Sequence, residues 1–436
     1  MGCDMLMMRR ILCGLLFLWI TAFAQDFQEQ AKADIAYLTS QELMGRGYTF
    51  NGHIKAAEFL AQQFKSIGLE PVGGDYFQEF EMDVNLFEPV PALFINDVRL
   101  KPGADFFPNA VSGSGKREQE TNILYINAGL YIPEKNINDY AAIDRENAVL
   151  VIEDEVPPDI KSDKTIDRQV YSKDVRIALA KEYKARAVIF LVNNLVFSSP
   201  RRQESLPVFD VKKTSWPEKA ESVSYRVESS FEEVQTNNVL GLLPGTSKAD
   251  SFFILCAHYD HLSALGDSLY FPGANDNASG VGMILSMARY FKQNPLRHSI
   301  LFIAFSGEET GLVGSKFFAE HPVLDIGKAR FLINFDMVAS GKEAVMAVGG
   351  EDFPDYFNML NTVNDSLNIG TLRKRKNVPN GDHFPILEKG VKGFFLYTDK
   401  GTQPYHSFRD IYDTLEWEDF LYVYKLSKAF IEKIDR

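Results

Sequence analysis

Five separate stretches of the chain end or turn on residues suited to holding a divalent metal ion. In FFILCAHYDHL, Phe252 through Leu262, an apolar run closes on His258, Asp260 and His261. PGANDNASG carries Asp276, SGEETG carries Glu308 and Glu309, RFLINFD finishes on Asp336, and QPYHSFRDIYDTL offers Tyr405, His406 and Asp410. Only seven histidines occur in the whole chain, so two of them three positions apart around a carboxylate is a concentration that asks for a chemical reason. Carboxylates gathered at neighbouring strand ends oppose one another's ionisation, and no lysine or arginine stands at those same strand ends. A bound divalent cation resolves that repulsion. Mixed imidazole and carboxylate donors at ~2.0–2.2 Å suit zinc, with cobalt or manganese as substitutes. Any one of these residues alone is adequately explained as a solvated cap or a satisfied core group; the set is not. The helical signature H-E-x-x-H is absent, which removes the metalloproteases built on it.

The elements that must position these residues are legible around them. FFILCA, SILFIAF, RFLINFD and KGFFLYT are short apolar runs of strand length, and SGVGMILSMARYFKQN is an amphipathic helix between the first two. A further helix is expected from about Leu312, and another from Trp417 to the C-terminus. Apolar strands alternating with helices predict an α/β fold with a mixed, mostly parallel sheet sandwiched by helices. In such sheets, function collects just past the carboxyl ends of the strands. Gly273, Gly280 and Gly282 flank Asp276 and fit a tight turn that enters a helix. Upstream, KAAEFLAQQFKSIGL places Ala56, Phe59, Leu60, Phe64 and Ile67 on one helical face, with Gly68 as its C-cap. Between Leu86 and Gln235 the character changes: NILYINAGLYI and NAVLVIEDEVP predict strands, and VRIALAKEYKARAVIFLV predicts a helix feeding a buried strand.

With 45% hydrophobic and 24% charged residues in 436, the chain can bury a substantial core. A net charge of −13 argues against nucleic acid or an anionic membrane surface as partner. GSGK at Gly113–Lys116 has Ala110 where a phosphate loop has its first glycine, so no nucleotide is expected. Arg9 and Arg10 precede the apolar run Ile11–Ala24, which ends in AFA before Gln25. That is the layout of a cleaved secretory signal, so residues 1–24 predict export and a periplasmic or extracellular location. Cys3 and Cys13 would leave with the signal. Cys256 would then stand alone, and stability must come from the core and from metal.

AHYDHL, PGANDNASGV, SGEETGLVGS, NFDMV and PYHSFRD, in that order, resemble the motif set of the two-zinc (co-catalytic) aminopeptidase and glutamate carboxypeptidase-like metallopeptidase family. LTSQELMGRGY resembles the amino-terminal part of its exported bacterial members, and NDYAAIDRENAVLVIEDEVP resembles the protease-associated (PA) domain that they carry as an insertion. The resemblance implies a signal peptide over 1–24, an N-terminal part of the peptidase domain over 25–90, an inserted, smaller β-rich PA-like domain over 91–235, and the main zinc peptidase domain over 236–436. It also implies two zinc ions. His258 and Asp336 would hold one, Glu309 and His406 the other, and Asp276 would bridge them. Glu308 would be the general base, Asp260 would orient His258, and Tyr405 would donate to the developing oxyanion. The activity implied is that of an aminopeptidase acting on peptide substrates, with the inserted domain serving as lid, gate or homodimer contact. Two alternatives remain open: a carboxypeptidase or dipeptidase for acidic substrates, which needs cations such as Arg373, Arg375 or Arg409 in the pocket, and a non-catalytic binding protein resembling the transferrin receptor ectodomain.

Outside the motifs, His261 is expected to be a polar contact near the site, and Asp382 and His383 pocket wall or structural polar residues. His53, His298 and His321 are expected at the surface, and the run RKRK at Arg373–Lys376 on a solvated face. The sequon at Asn277 lies inside the metal motif and is discounted.

Overall fold

Alternating apolar residues in the strands feed two separate cores, and that alternation sets the architecture. A computed structural model describes residues 28–142, 146–341, 344–399 and 405–436; the expected signal segment lies outside them. Eight strands form one sheet: β1 (Phe77–Phe87), β2 (Ser229–Leu243), β3 (Lys248–His258), β4 (His298–Phe305), β5 (Ala329–Phe335), β6 (Ala344–Val348), β7 (Leu372–Arg375) and β8 (Gly393–Asp399). Their spatial order is β1-β2-β4-β3-β5-β8-β6-β7. The central pairs β4/β3, β3/β5 and β5/β8 are parallel, as is β6/β7 at one edge. The pairs β1/β2, β2/β4 and β6/β8 are antiparallel, so the sheet is mixed.

Successive strand residues point to opposite faces. In β3, Phe253, Leu255 and Ala257 join the core beneath one layer of helices, while Phe252, Ile254 and Cys256 join the other. The first layer holds the helical stretch 28–38, α1 (Gly52–Ile67), α2 (Ser279–Gln293), α4 (Pro354–Leu367) and α5 (Trp417–Ile434); the second holds α3 (Val313–Glu320) and the short helix His383–Leu387. Covered on both sides, all eight residues of β4 are buried, which is why it is an unbroken apolar run rather than an alternating one. Each fully buried phenylalanine, such as Phe302, contributes roughly 1.5–3 kcal/mol. As expected, α1 ends at Gly68 in the left-handed conformation, φ 84°, with its N–H donating to the carbonyls of Phe64 and Lys65.

The chain leaves this sheet along β1 and returns along β2, which pair over their full shared length from Phe87↔Ser229 to Phe77↔Val239. Between them lies a second, β-rich body. Its five-stranded sheet runs in the order Phe106–Pro108, Val208–Lys212, Ala187–Val192, Val149–Glu153, Ile123–Tyr125. A four-stranded antiparallel sheet adds Val98–Arg99, Ala92–Ile95, Val223–Val227 and Gly115–Glu120. The helix Lys173–Glu182 leads into the buried strand Ala187–Val192, as the sequence predicts. Among the described residues no helix is long and apolar enough to cross a membrane.

Two histidines depart from expectation. His53 and His298 are each only 2% exposed rather than at the surface. The ring of His53 bridges the backbone carbonyls of Gly47 and Gln235 at 3.2 and 3.0 Å. His298 opens β4 with Nδ1 2.7 Å from Asp435 near the C-terminus. Each is buried because its ring nitrogens find partners far away in the sequence, a condition no local pattern reveals.

Candidate metal centre

Three strand ends and two loops deliver the centre. β3 ends at His258, β4 runs out into Glu308 and Glu309, and Asp336 follows β5; the turn before α2 brings Asp276, and the loop beyond β8 brings His406. His258 is 1% exposed. Its Nδ1 lies 3.1 Å from the backbone carbonyl of Asp260 and 3.7 Å from that residue's Oδ1. With Nδ1 so held, Nε2 faces inward, 3.4 Å from Asp276 Oδ1 and 3.5 Å from Asp336 Oδ1. On the other side His406 Nε2 stands 3.4 Å from Asp276 Oδ2 and 3.0 Å from Glu309 Oε2. The two oxygens of Asp276 therefore face two different imidazoles.

These spacings can be tested against a metal. Four donors placed tetrahedrally at ~2.0–2.1 Å from a zinc ion stand roughly 3.3–3.4 Å apart. The imidazole–carboxylate separations of 3.0 to 3.5 Å match the edges of such polyhedra. Asp336 Oδ1 is also buried without a hydrogen-bond partner, which is costly for a lone carboxylate oxygen and natural for a ligand atom. Among the described residues, two sets of side chains gather their donor atoms closely enough to hold an ion: His258, Asp276 and Glu309, and His258, Glu308 and Asp336. The donor chemistry fits zinc.

The electrostatics agree with crowded like charge. Burial first, then the carboxylates of Glu309, Asp382 and Asp336, push the Glu308 carboxyl well above its ordinary value against the pull of His258. Asp336 is raised by burial, with Asp276 and Glu309 adding to it and His258 opposing. Burial opposes protonation of His406, yet Glu309 and Asp276 hold its pKa up at about 11. Burial likewise opposes protonation of His258, and Glu308 and Asp336 outweigh it, holding that ring well above its usual range. The upward pull on both imidazoles marks carboxylate charge that the chain leaves uncompensated, which a divalent ion would offset.

The surrounding shell is built from distant parts of the chain. Asp260, fully buried, accepts from the Tyr48 hydroxyl at 2.9 Å and from the Glu308 backbone N–H at 3.2 Å. It thus ties the first strand end to the second, while its backbone carbonyl holds the His258 ring. His261, expected as a polar contact, lies with Nδ1 2.6 Å from Glu309 Oε1. Asp410 clamps the turn before α2, accepting from the N–H groups of Asn275 and Asp276 at 2.9 Å each. Gly273 in that turn has φ +59°, and a Cβ there would lie 2.3 Å from Asp276 O and 2.4 Å from the His261 ring. Tyr405 stacks on His406 with ring centroids 3.7 Å apart and is half-exposed at the mouth of the centre.

Besides the Tyr48 hydroxyl on Asp260, two contributors escape sequence reasoning. Arg46 is fully buried and donates to four backbone carbonyls, those of Leu38, Tyr259, Pro272 and Gly273, at 2.6 to 2.8 Å. Burial lowers its pKa to about 10, while Asp410, Asp276, Asp260 and Glu309 pull the other way. It is a cation for the centre that arrives more than two hundred residues upstream of the motifs; its only local sign is an arginine set between glycines in MGRG. The second is the backbone carbonyl of Phe197, in the inserted body, 2.8 Å from His406 Nδ1. A main-chain carbonyl leaves no side-chain signature, so nothing in the sequence could have found it.

A mixed sheet between helix layers, with a metal-ligand cluster past its strand ends and a β-rich body inserted at one edge, is a fold found in solved aminopeptidases. BSAP, a zinc aminopeptidase from Bacillus subtilis, matches with a TM-score of 0.71 over 93% of this chain and 94% of its own at 20% identity. The aminopeptidase of Aneurinibacillus sp. strain AM-1 matches with a TM-score of 0.66 over 93% of each chain at 19% identity. In sequence, residues 238–431 match the model of Peptidase family M28. The matched stretch, under half of the chain, contains every ligand candidate named above. Aminopeptidase YwaD of Bacillus subtilis (strain 168) is 27% identical over 318 residues, 69% of this chain and 64% of that relative. A probable leucine aminopeptidase 2 of Aspergillus oryzae is 31% identical over 131 residues, 30% of this chain and 25% of the relative. The chain therefore spans less than two thirds of the length of these curated relatives.

Proposed function

We propose that the protein is an exported zinc-dependent aminopeptidase that removes N-terminal residues from peptides. The observation that carries this reading is the split of Asp276, whose Oδ1 faces His258 and whose Oδ2 faces His406, each at 3.4 Å. One carboxylate serving two imidazole-containing sets is what a two-ion centre requires. His258 and Asp336 would hold one zinc, Glu309 and His406 the second, with Asp276 between them. Bound zinc supplies a water of lowered pKa and polarises the scissile carbonyl.

The rest falls to the protein's own groups. Glu308, next to a ligand but not needed as one, takes the water's proton and returns it to the leaving amine. Burial and the neighbouring carboxylates raise its pKa, which strengthens it as a base. Asp260 fixes the His258 ring, and the phenol of Tyr405, at the mouth of the centre, can donate to the developing oxyanion. Export rests on the amino-terminal stretch Arg9–Ala24, and the acidic chain leaves peptides rather than nucleic acid as substrate.

The test is release of leucine from leucyl anilide and from leucyl-leucine by protein stripped with chelator and then reloaded with zinc. Activity absent from the stripped protein and restored by zinc supports the reading; chelator-resistant turnover, or none after reloading, contradicts it.

A further inference from the structure

The metal-ligand carboxylates share their cavity with one strong cation. The cavity, about 350 Å³, is lined by Asp276, Glu308, Glu309 and Asp336 and also by Arg375, Asn380, Phe395, Tyr397 and Tyr405. Among the described residues Arg375 is the one lysine or arginine lining it. The basic run that holds it was expected on a solvated face, but most of it is strand β7, and the alternation of a strand divides its charges. Lys374 is exposed and lies over the Phe357 ring at 4.9 Å. Arg373 bonds Asp399 at 2.8 Å. Arg375 is half-buried, its guanidinium 5.3 Å from the centroid of the Tyr397 ring. Arg409, the remaining arginine considered for such a role, is exposed and outside the cavity lining.

What Arg375 touches leaves its charge unused. With the Asn380 amide turned so that its oxygen faces the guanidinium, Nη2 donates to it at 2.8 Å. Nε is buried with no hydrogen-bond partner, and among the described residues no carboxylate forms an ion pair with Arg375. A guanidinium stacked on an aromatic ring is pre-organised, and its planar fork matches a carboxylate. A buried N–H without a partner is a standing cost that a ligand oxygen removes. The cavity lies near the lower end of the ~300–1,000 Å³ typical of small-molecule sites, which is room for one or two residues.

We propose that Arg375 binds a carboxylate of the substrate, so that the site selects short peptides carrying a free carboxylate close to the scissile bond. This rests on the metallopeptidase reading above and narrows its substrate class. The carboxylate has two sources, the C-terminus of a dipeptide or an acidic side chain on the first residue, and both present the same group to the guanidinium.

The zinc-loaded protein is titrated in a calorimeter with three dipeptide analogues whose scissile amide is reduced to methylene-amine. These are leucyl-leucine as the free acid, leucyl-leucine amide and glutamyl-leucine amide. Tighter binding of the free acid than of its amide, lost roughly tenfold or more in Arg375→Gln and only partly kept in Arg375→Lys, supports the proposal with the C-terminal carboxylate as source. The same pattern confined to the glutamyl analogue supports it with the side chain as source. Equal affinity for all three in the wild type, or an equal loss for all three in Arg375→Gln, overturns it. Because binding is read without turnover, a protein that shows the preference but hydrolyses none of the cleavable counterparts contradicts the peptidase reading and leaves the carboxylate-binding result standing.

Discussion

The two bodies of the molecule treat buried carboxylates in opposite ways. In the inserted body Asp210 is 4% exposed, and the chain supplies its counter-ion: Lys173 Nζ lies 2.6 Å away, with Asn109 donating at 2.8 Å. Nearby Asp154 takes Arg176 at 2.5 Å. In the eight-stranded body Asp276, Glu308, Glu309 and Asp336 gather with the rings of His258, His261 and His406, and the buried Arg46 beside them spends its hydrogen bonds on carbonyls. The inserted body balances its charge internally. The centre does not, and its imbalance is the size and sign of something it must bind.

That contrast sets the scale of four perturbations. Glu308→Gln removes the proton carrier without removing a proposed ligand; turnover should fall by roughly 10²–10⁴ while zinc content, read by elemental analysis, stays at the wild-type level. Lys173→Met strands Asp210 in the inserted body. Because Lys173 is 29% exposed, the loss in urea unfolding should be about 2–3 kcal/mol, below the ~3–5 kcal/mol of a fully buried pair. Zinc should not restore it, and replacing Asp210 by Leu in the same chain should recover most of it. His261→Ala frees Glu309 from its 2.6 Å partner and should weaken zinc binding roughly 10–100-fold in a competition titration; unchanged affinity would leave His261 a packing residue.

The fourth and smallest concerns pH. Burial, and then the Arg375 cation, push the His383 ring down to about 3, against ~6.5 in the unfolded chain. Between those values the unfolded state binds a proton that the folded state refuses, so this contribution is full above pH 6.5 and is lost as pH falls through the window. Metal-free His383→Phe should therefore show a shallower fall in Tm than wild type from pH 6.5 to pH 4; parallel curves would assign the ring no part.

Much of this is legible in the sequence. The apolar runs at β3, β4, β5 and β8 are strand-length and flanked by polar turns, so period and length alone place them, and His258, Glu308, Glu309 and Asp336 follow because they stand at or just past the ends of those runs. What stayed hidden is what the centre borrows. Arg46 and Tyr48 come from the amino-terminal segment, and Phe197 offers only a carbonyl. Neither spacing nor residue type connects them to His258. The burial of His53 and His298 is hidden for the same reason, since a lone histidine carries no periodic signal and its burial depends on partners as remote as Gln235 and Asp435. The edge strands β1 and β7, and β6 beside β7, do not show in the sequence pattern either. β1 mixes charged and apolar residues in a partly exposed pattern, and in β7 the basic run hid a strand whose alternation aims Arg375 inward.

Metal stoichiometry bears on all of this most directly. Zinc counted per chain after reloading and desalting should come to two in the wild type and in Glu308→Gln, and to less than one in Asp276→Ala, where both ions lose their shared ligand. No stoichiometric zinc in the wild type, or two ions retained by Asp276→Ala, would contradict a centre built on carboxylates that the chain itself leaves unbalanced.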